Sequence, residues 1–319
     1  MTNNKSRVLY VASSSFSGST LLSFLLNSHT RITTVGEMEG WKAADPESFR
    51  CSCGEVLKVC PFFQRMAEAF GRAHLPFRMP NDFGTGYRLL NNTRLNLYVT
   101  EALPWIRYSA LENARDAVVR RLPPFAGRIR RNDRANVLFI RTALTLANAD
   151  VFVNADKTPF RLRYLRRIPE FDLRALHLVR EPRGVVLTFM ENRGWDAGLG
   201  MRVWIREQRD ILRILAEEPN TLRVYYEDLC DDTNAALVRI QRFAGVEPES
   251  FGGDFRAAEH HILGNSMRLD RVGAIVKSER WKTKLSAAEL GRMEAVARDF
   301  TRAHPSDPMV GILGRYFER

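Results

Sequence analysis

Apolar and polar positions change their period several times along the chain, and each change marks an element. Arg7 to Ala12 read RVLYVA, a short β-branched and aromatic run of the kind a buried first strand carries. The small residues SSSFSGST follow, then LLSFLLNSH, in which Leu21, Leu22, Leu25 and Leu26 fall on one face of a helix whose first turn holds Ser19 and Thr20. The opening unit is therefore strand, small-residue loop, helix, with a short second strand expected after that helix, just before Glu37 in TTVGEMEG.

From Pro61 to about Asn136 the pattern is mainly helical, broken at Pro76, Pro80, Gly84, Gly86 and the Pro123-Pro124 pair. A second block then alternates. VFVNADKTPF reads as strand and loop, RLRYLRRIPEF as helix, LRALHLV as strand, and EPRGVVLTFMENRGW as a loop entering a helix. TLRVYYEDL reads as a further strand, followed by a helix from Asn234 to Ala244 that Gly245 ends. Strands alternating with helices imply a parallel sheet. The last sixty or so residues contain HHILGNSMRLD and then an amphipathic helix in ERWKTKLSAAELGRMEAVARDF.

Composition supports a globular protein, 319 residues long, 27% charged and 45% hydrophobic, which excludes a disordered or collagenous chain. At ~150 residues per domain the length corresponds to roughly two domains, though single α/β domains also reach this size. The apolar run Val8–Ala12 is too short for a signal-peptide core, and no stretch approaches the ~20 apolar residues of a membrane span, so a cytoplasmic protein is expected. The net charge of +11, carried mostly by arginine, favours an anionic ligand such as phosphate or nucleic acid.

Three of the four cysteines, Cys51, Cys53 and Cys60, cluster in RCSCGEVLKVCPFF. They read as a reduced structural turn anchored by Pro61 and Phe62. Zinc would require a fourth ligand from elsewhere, with His29 and His74 as candidates.

The loop Ser13 to Thr20 has the form of an anion cradle, since small residues ahead of a helix leave backbone N–H groups free and the helix dipole adds partial positive charge. Aligned to the triphosphate-binding loop, Gly18 takes the second glycine position, but Ser13 replaces the first glycine and Ser19 stands in place of the lysine. A kinase or ATPase reading therefore lacks its central cation. The bland reading is a Ser/Gly turn capping an ordinary helix.

FSGSTLLSFLLNSH resembles the 5′-phosphosulfate-binding loop of sulfotransferases that use 3′-phosphoadenosine 5′-phosphosulfate (PAPS), bacterial and tyrosylprotein enzymes among them, except that Phe16 stands where the family usually has Arg or Lys. NADKTPF is similar to the family's Asp/Ser-Lys-x-Pro element, HLVREPRGVVLTFMENR to its 3′-phosphate element, and YEDL to its Tyr-Glu-x-Leu strand end. All occur in the family's order, with HxxxGNxMR and Trp-Lys after them. The resemblance implies an α/β fold, a P-loop-like parallel sheet flanked by helices, with a helical insertion at about 61–136 and a helical C-terminal segment, all in a single domain spanning 1–319.

It further implies PAPS as donor, adenosine 3′,5′-bisphosphate as product, a hydroxyl-bearing acceptor, and no requirement for metal or nucleic acid. Ser15, Ser17, Gly18, Ser19 and Thr20 would hold the 5′-phosphosulfate, and Arg180 with Thr188 the 3′-phosphate. Tyr226 would reach the same phosphate, unless it is a core aromatic of its strand. Arg268 would add a cation, aimed by Gly264 and Asn265. Glu37 would take the acceptor's proton, with Glu39, His260 and His261 next in line. Lys157, oriented by Asp156, would stabilise the departing 5′-phosphate in an in-line transfer. The readings without a ligand are that Arg180 pairs with Glu181 or Asp172 and that Glu37 belongs to a strand-end ion pair. Arg183 is expected in a structural pair, Trp281 as a seal, and Phe16 as an anchor against the first helix. The competing functions are a nucleotide-dependent kinase and a nucleic-acid binder using Arg128, Arg130, Arg131, Arg134 and the Arg161–Arg167 face.

Overall fold

A computed structural model describes residues 5–40, 43, 45–101, 108–270 and 273–317. Five strands form one sheet, β1 (Ser6–Ser13), β2 (Ile32–Thr34), β3 (Val151–Lys157), β4 (Phe171–Val179) and β5 (Thr221–Tyr225), in the order β2-β3-β1-β4-β5. Every pairing is parallel, with Val8 opposite Phe152 on one side and Leu173 on the other.

The alternation within RVLYVA sets the two layers. Val8, Tyr10 and Ala12 point into a core with Phe63, Phe83, Phe139 and Phe152. Leu9 and Val11 point to the other face, where α1 (Ser19–Asn27) packs through Leu22, Phe24, Leu25 and Leu26. Both faces are covered, as parallel sheets require. A third core joins α7 (Pro182–Arg193), α8 (Ala197–Leu215), α12 (Ala287–Ala303) and α13 (Met309–Phe317) around the buried Trp204.

The insertion is built from α2 (Pro61–Arg72), α3 (Thr93–Thr100), α4 (Ser109–Val119) and α5 (Pro123–Ala147). The last runs well past the boundary expected near Asn136, because NVLFIRTALTLA keeps burying Phe139, Ile140 and Ala143 on its inner face. Prolines that look like breakers in the sequence open helices α2, α5, α6 (Pro159–Leu165) and α7, at the first-turn positions where a missing N–H costs nothing. Two further boundaries differ from the sequence pattern. The strand in TLRVYYEDL stops at Tyr225, and Tyr226 begins α9 (Tyr226–Asp231), which is followed by α10 (Thr233–Ala244). The terminal α13 has no expected counterpart; only its packing on the third core, through Met309, Ile312 and Leu313, distinguishes it from a tail.

The Arg161–Arg167 stretch is not an open basic face. Arg161 and Arg163 are 3% and 2% exposed. Arg163 is bound by Glu112 and, at 2.6 Å, by Asp116, and Arg213 meets the same Glu112 at 2.6 Å. Arg166 pairs with Glu217 at 2.6 Å and Glu218 at 2.9 Å. The cations that suggested nucleic acid here are spent inside the protein, stitching α4, α6 and α8 together, while Arg130, Arg131 and Arg134 lie on the exposed face of α5. Removing one member of such a buried set leaves charge uncompensated, which typically costs about 3–5 kcal/mol. Arg163→Met should therefore lower the urea midpoint by that equivalent at unchanged m-value, and a loss below about 1 kcal/mol would show that Glu112 and Asp116 are satisfied without it.

Candidate active site

Parallel strands end together, so the segments that leave β1, β2, β3, β4 and β5 all emerge at one edge of the sheet. The strand order reverses direction around β1, which makes the end of β1 the crevice where ligands of open α/β sheets bind. The loop Ser14 to Gly18 lies there. It turns through left-handed backbone at Phe16 (φ 62°) and Gly18 (φ 87°), and Ser14 Oγ meets Ser17 Oγ at 2.6 Å. Gly18 precedes α1 with no side-chain cap, so the first-turn N–H groups of Ser19 and Thr20 face the crevice unclaimed by a capping side chain. Ser17, Ser19 and Thr20 are buried; Ser15 and Gly18 are partly exposed.

A glycine is required at position 18 by its neighbour as well as by its φ angle. A Cβ there would stand 2.5 Å from Cδ2 of Tyr226. The Tyr226 ring in turn lies under Arg180, whose Cζ is 4.5 Å from the ring centroid, and Arg180 Nη1 donates to Phe16 O at 2.8 Å. Loop, ring and guanidinium thus form one stack. Burial pushes the Tyr226 phenol up to about 12, and its hydroxyl accepts from Ser278 N at 3.3 Å. Among the described residues no carboxylate pairs with Arg180, since Glu181 is taken by Arg183 and Asp172 lies beside Arg174. Thr188, partly exposed on α7, donates its hydroxyl to Gly184 O at 3.0 Å. The Arg180 guanidinium lies against Gly184, 3.5 Å from where a Cβ would be, an ordinary contact.

Phe16 packs against α7, not α1. Its ring is edge-on to Phe189 at 5.8 Å, with Arg193 6.0 Å above it. Arg183 is held by Glu181 at 2.6 Å and stacks on Trp281 at 4.2 Å, so this pair closes the C-terminal segment onto α7.

Glu37 follows β2 through Val35 and Gly36, and Lys157 closes β3 with a left-handed φ of 70°. Their side chains form an ion pair, each about a quarter exposed. Asp156 does not orient Lys157. Its Oδ1 accepts from Met38 N at 2.8 Å, which fixes the backbone next to Glu37, and its Oδ2 lies 3.1 Å from Arg161 Nε. Burial pushes the Asp156 carboxyl up, against the pull of Arg161. Glu39 is the other carboxylate partner of Arg161, which also donates to Asn136 Oδ1 at 2.7 Å. Gly36 is in contact with Leu263, whose N–H donates to Val35 O at 2.8 Å; a Cβ on Gly36 would meet Leu263 O at 2.2 Å.

The structure puts other expected residues elsewhere. Arg268 is buried and spends its N–H groups on the carbonyls of Gly264 at 2.9 Å, Asn265 at 3.1 Å and Arg50 at 3.0 Å. It braces the turn that lies against Thr20. His260 is buried between Phe255 O and Asn27, and His261 faces the cysteines.

A cavity of about 650 Å³ is lined by Glu39, Thr158 and Arg161 on the sheet side and by Tyr87, Asn96 and Glu101 from the insertion; Glu37 and Lys157 do not line it, though Glu39 and Thr158 are their near neighbours in the chain. Burial and nearby Glu39 push the Glu101 carboxyl up to about 7. Sequence reasoning missed both the cavity and Arg161. An arginine inside RLRYLRR carries no mark that separates a buried one from a solvated one; only the acidic residues that meet it from Asp156 and Glu39 do.

Residues 11–250 match the model of the sulfotransferase family, a stretch that contains the loop, Glu37, Lys157, Arg180, Thr188 and Tyr226 but not Arg268 or His261. No curated protein matches the chain. Among solved structures, a sulfotransferase domain from the curacin biosynthetic pathway is 16% identical, covering 93% of this chain and 98% of its own, with a TM-score of 0.50. The sulfotransferase domain from the Synechococcus PCC 7002 olefin synthase is 22% identical, with 93% and 95% covered and a TM-score of 0.48. Retinol dehydratase in complex with androsterone and inactive cofactor PAP is 14% identical, with 92% and 80% covered and a TM-score of 0.35. The first is a likeness of fold.

The Gly18–Tyr226 contact gives a measurable coupling. Gly18→Ala should cost about 1–2 kcal/mol from the left-handed backbone alone and about 1–3 kcal/mol more from the collision with the ring. In a Tyr226→Ala background only the first part should remain. Equal urea-denaturation losses in both backgrounds would show that Tyr226 is not the wall.

Proposed function

The chain belongs to the sulfotransferase family, and from that premise we propose that it transfers a sulfuryl group from PAPS to an acceptor hydroxyl, with Glu37 as general base. The observation that carries this reading is the Glu37–Lys157 ion pair at the same sheet edge as the uncapped start of α1.

The residues present fit such a donor. The open N–H groups of Ser19 and Thr20 and the small side chains of Ser15 and Ser17 suit a 5′-phosphosulfate. Arg180, free of carboxylate partners among the described residues and fixed over Tyr226, suits a phosphomonoester, with the Thr188 hydroxyl on the facing helix. The donor supplies an activated sulfuryl group on a phosphate leaving group. Glu37 takes the proton of the acceptor hydroxyl as that oxygen attacks sulfur in line. Lys157 and the N–H groups of α1 meet the charge that develops on the departing phosphate oxygen, which is positioning and electrostatic stabilisation of the kind phosphoryl transfer uses. Because Lys157 is also the partner of Glu37, one ammonium orients the base and faces the leaving group. The acceptor occupies the 650 Å³ cavity, whose wall carries Glu39, two positions from Glu37 in the chain, and Thr158, next to Lys157.

Adenosine 3′,5′-bisphosphate should raise the thermal midpoint where ATP does not, and Arg180→Ala should weaken that ligand by ~1.5–3 kcal/mol, the range for a charged hydrogen bond. Adenosine 5′-phosphate, which lacks the 3′-phosphate, should bind the wild type and this variant alike. Equal loss of both nucleotides would remove Arg180 from the 3′-phosphate.

Once a screen for an 80-dalton mass gain with PAPS has identified an acceptor, Glu37→Gln should keep bisphosphate affinity and lose at least ~10²-fold in turnover. Near-normal turnover would pass the proton to another group, Glu39 first.

A further inference from the structure

Four groups with the chemistry of soft metal ligands gather outside the site described above. Cys51, Cys53, Cys60 and His261 each present a ligand atom, and these atoms lie within 4.8 Å of one another. Neither histidine weighed from the sequence is among them. His29 is bonded to Glu247 O at 2.8 Å, and His74 is exposed after α2. The fourth member comes instead from 201 residues beyond Cys60.

Three of the six separations match those around one central ion, and all six lie within 4.8 Å. A tetrahedral zinc with bonds of ~2.3 Å to sulfur and ~2.0–2.1 Å to nitrogen separates two sulfurs by ~3.8 Å and a sulfur from a nitrogen by ~3.6 Å. Here Cys53 Sγ and Cys60 Sγ are 3.7 Å apart, and His261 Nδ1 is 3.4 Å from Cys60 Sγ and 3.8 Å from Cys51 Sγ. The Cys53–Cys60 separation is far beyond the ~2.05 Å of a disulfide. The other ring nitrogen, His261 Nε2, faces Glu259 Oε1 at 3.2 Å, the carboxylate partner that metal-bound histidines usually keep. The ring is also clamped in orientation by stacking on Phe62 at 4.7 Å and 16°. Cys51 and Cys60 are buried, and Cys53 is at the surface, which leaves an entry path.

We propose that Cys51, Cys53, Cys60 and His261 bind one zinc ion in a closed Cys₃His site. Thiolates with one imidazole select zinc over hard cations, and four protein ligands leave no open position, so its role is structural. The site joins the 51–60 turn to the segment that supports Glu37. Ser52 Oγ already bridges the two, donating to His260 O at 2.8 Å and accepting from Ile262 N at 2.7 Å, and Leu263 next pairs with Val35 and Gly36. The ion locks a contact between residues two hundred positions apart. It is independent of the sulfuryl-transfer reading and can fail or stand without it.

The test is elemental analysis of protein purified under reducing, chelator-free conditions. About one zinc per chain is expected in the wild type and in His74→Ala and Cys230→Ser, whereas Cys60→Ser and His261→Ala should retain less than about a fifth of that. Cobalt exchanged into the wild type should give the visible bands of a tetrahedral thiolate site, and a strong chelator should lower the wild-type thermal midpoint but not that of Cys60→Ser. The wild-type measurements decide the matter even if a ligand variant does not fold. Reduced wild-type protein without zinc, a Cys53–Cys60 disulfide in peptide maps of that preparation, or zinc retained undiminished by both ligand variants would overturn the assignment.

Discussion

All five strands run the same way, and the rest of the molecule depends on that constraint. Parallel pairing on both sides of β1 buries all of it but Arg7, which forces helices onto both faces and requires long crossovers between strands. One crossover, between β2 and β3, carries α2 to α5 and so supplies the wall of the cavity. The same directionality delivers the ends of all five strands to one edge. The loop after β1, Glu37 beyond β2, Lys157 at the end of β3, Arg180 after β4 and Tyr226 after β5 share that edge because the strands are parallel, not because they are near in sequence.

Charge is used in two ways. A net +11 would ordinarily describe a basic surface, yet part of the arginine excess is turned inward. Arg161 and Arg163 are almost fully buried, and each is met by two carboxylates, Asp156 with Glu39 and Glu112 with Asp116. Burying ions is costly, and such sets add little net stability compared with apolar packing. Their effect is geometric. Arg161 draws Glu39 away from Glu37, and Asp156 holds Met38 N, so the two adjacent acids have different partners and only Glu37 is left to meet Lys157.

The edge itself is kept tight by close backbone approach. Gly18 admits the Tyr226 ring and Gly36 admits the Leu263 carbonyl, in each case at distances that exclude a side chain. Through Leu263 the Cys/His cluster, outside the sheet altogether, bears on the position of Glu37. Phe16, which departs from the family's basic position, contributes a carbonyl to Arg180 and a ring to the α7 face, so the loop is anchored by packing and a cation is held beside it by its backbone.

What the sequence determined by itself is what neighbours along the chain decide. The short β-branched and aromatic run of β1, the leucine face of α1, the small residues between them and the glycine that ends α10 are legible because strand, helix and turn preferences are local. The family resemblance added the positions of Glu37, Lys157 and Arg180, which are short motifs of adjacent residues. The pairings between distant segments were decided by the tertiary structure alone: Glu37 with Lys157, 120 residues apart; Arg180 with Phe16, 164 apart; and Cys60 with His261, 201 apart. The arginines of RLRYLRR, Tyr226 at a helix start and the extension of α5 to Ala147 were set in the same way. In each case the local pattern fits two environments equally well. The choice follows from which side chains or backbone groups a distant segment brings up, since burial of a charge, a ring or a thiol is favourable only where partners from elsewhere complete it.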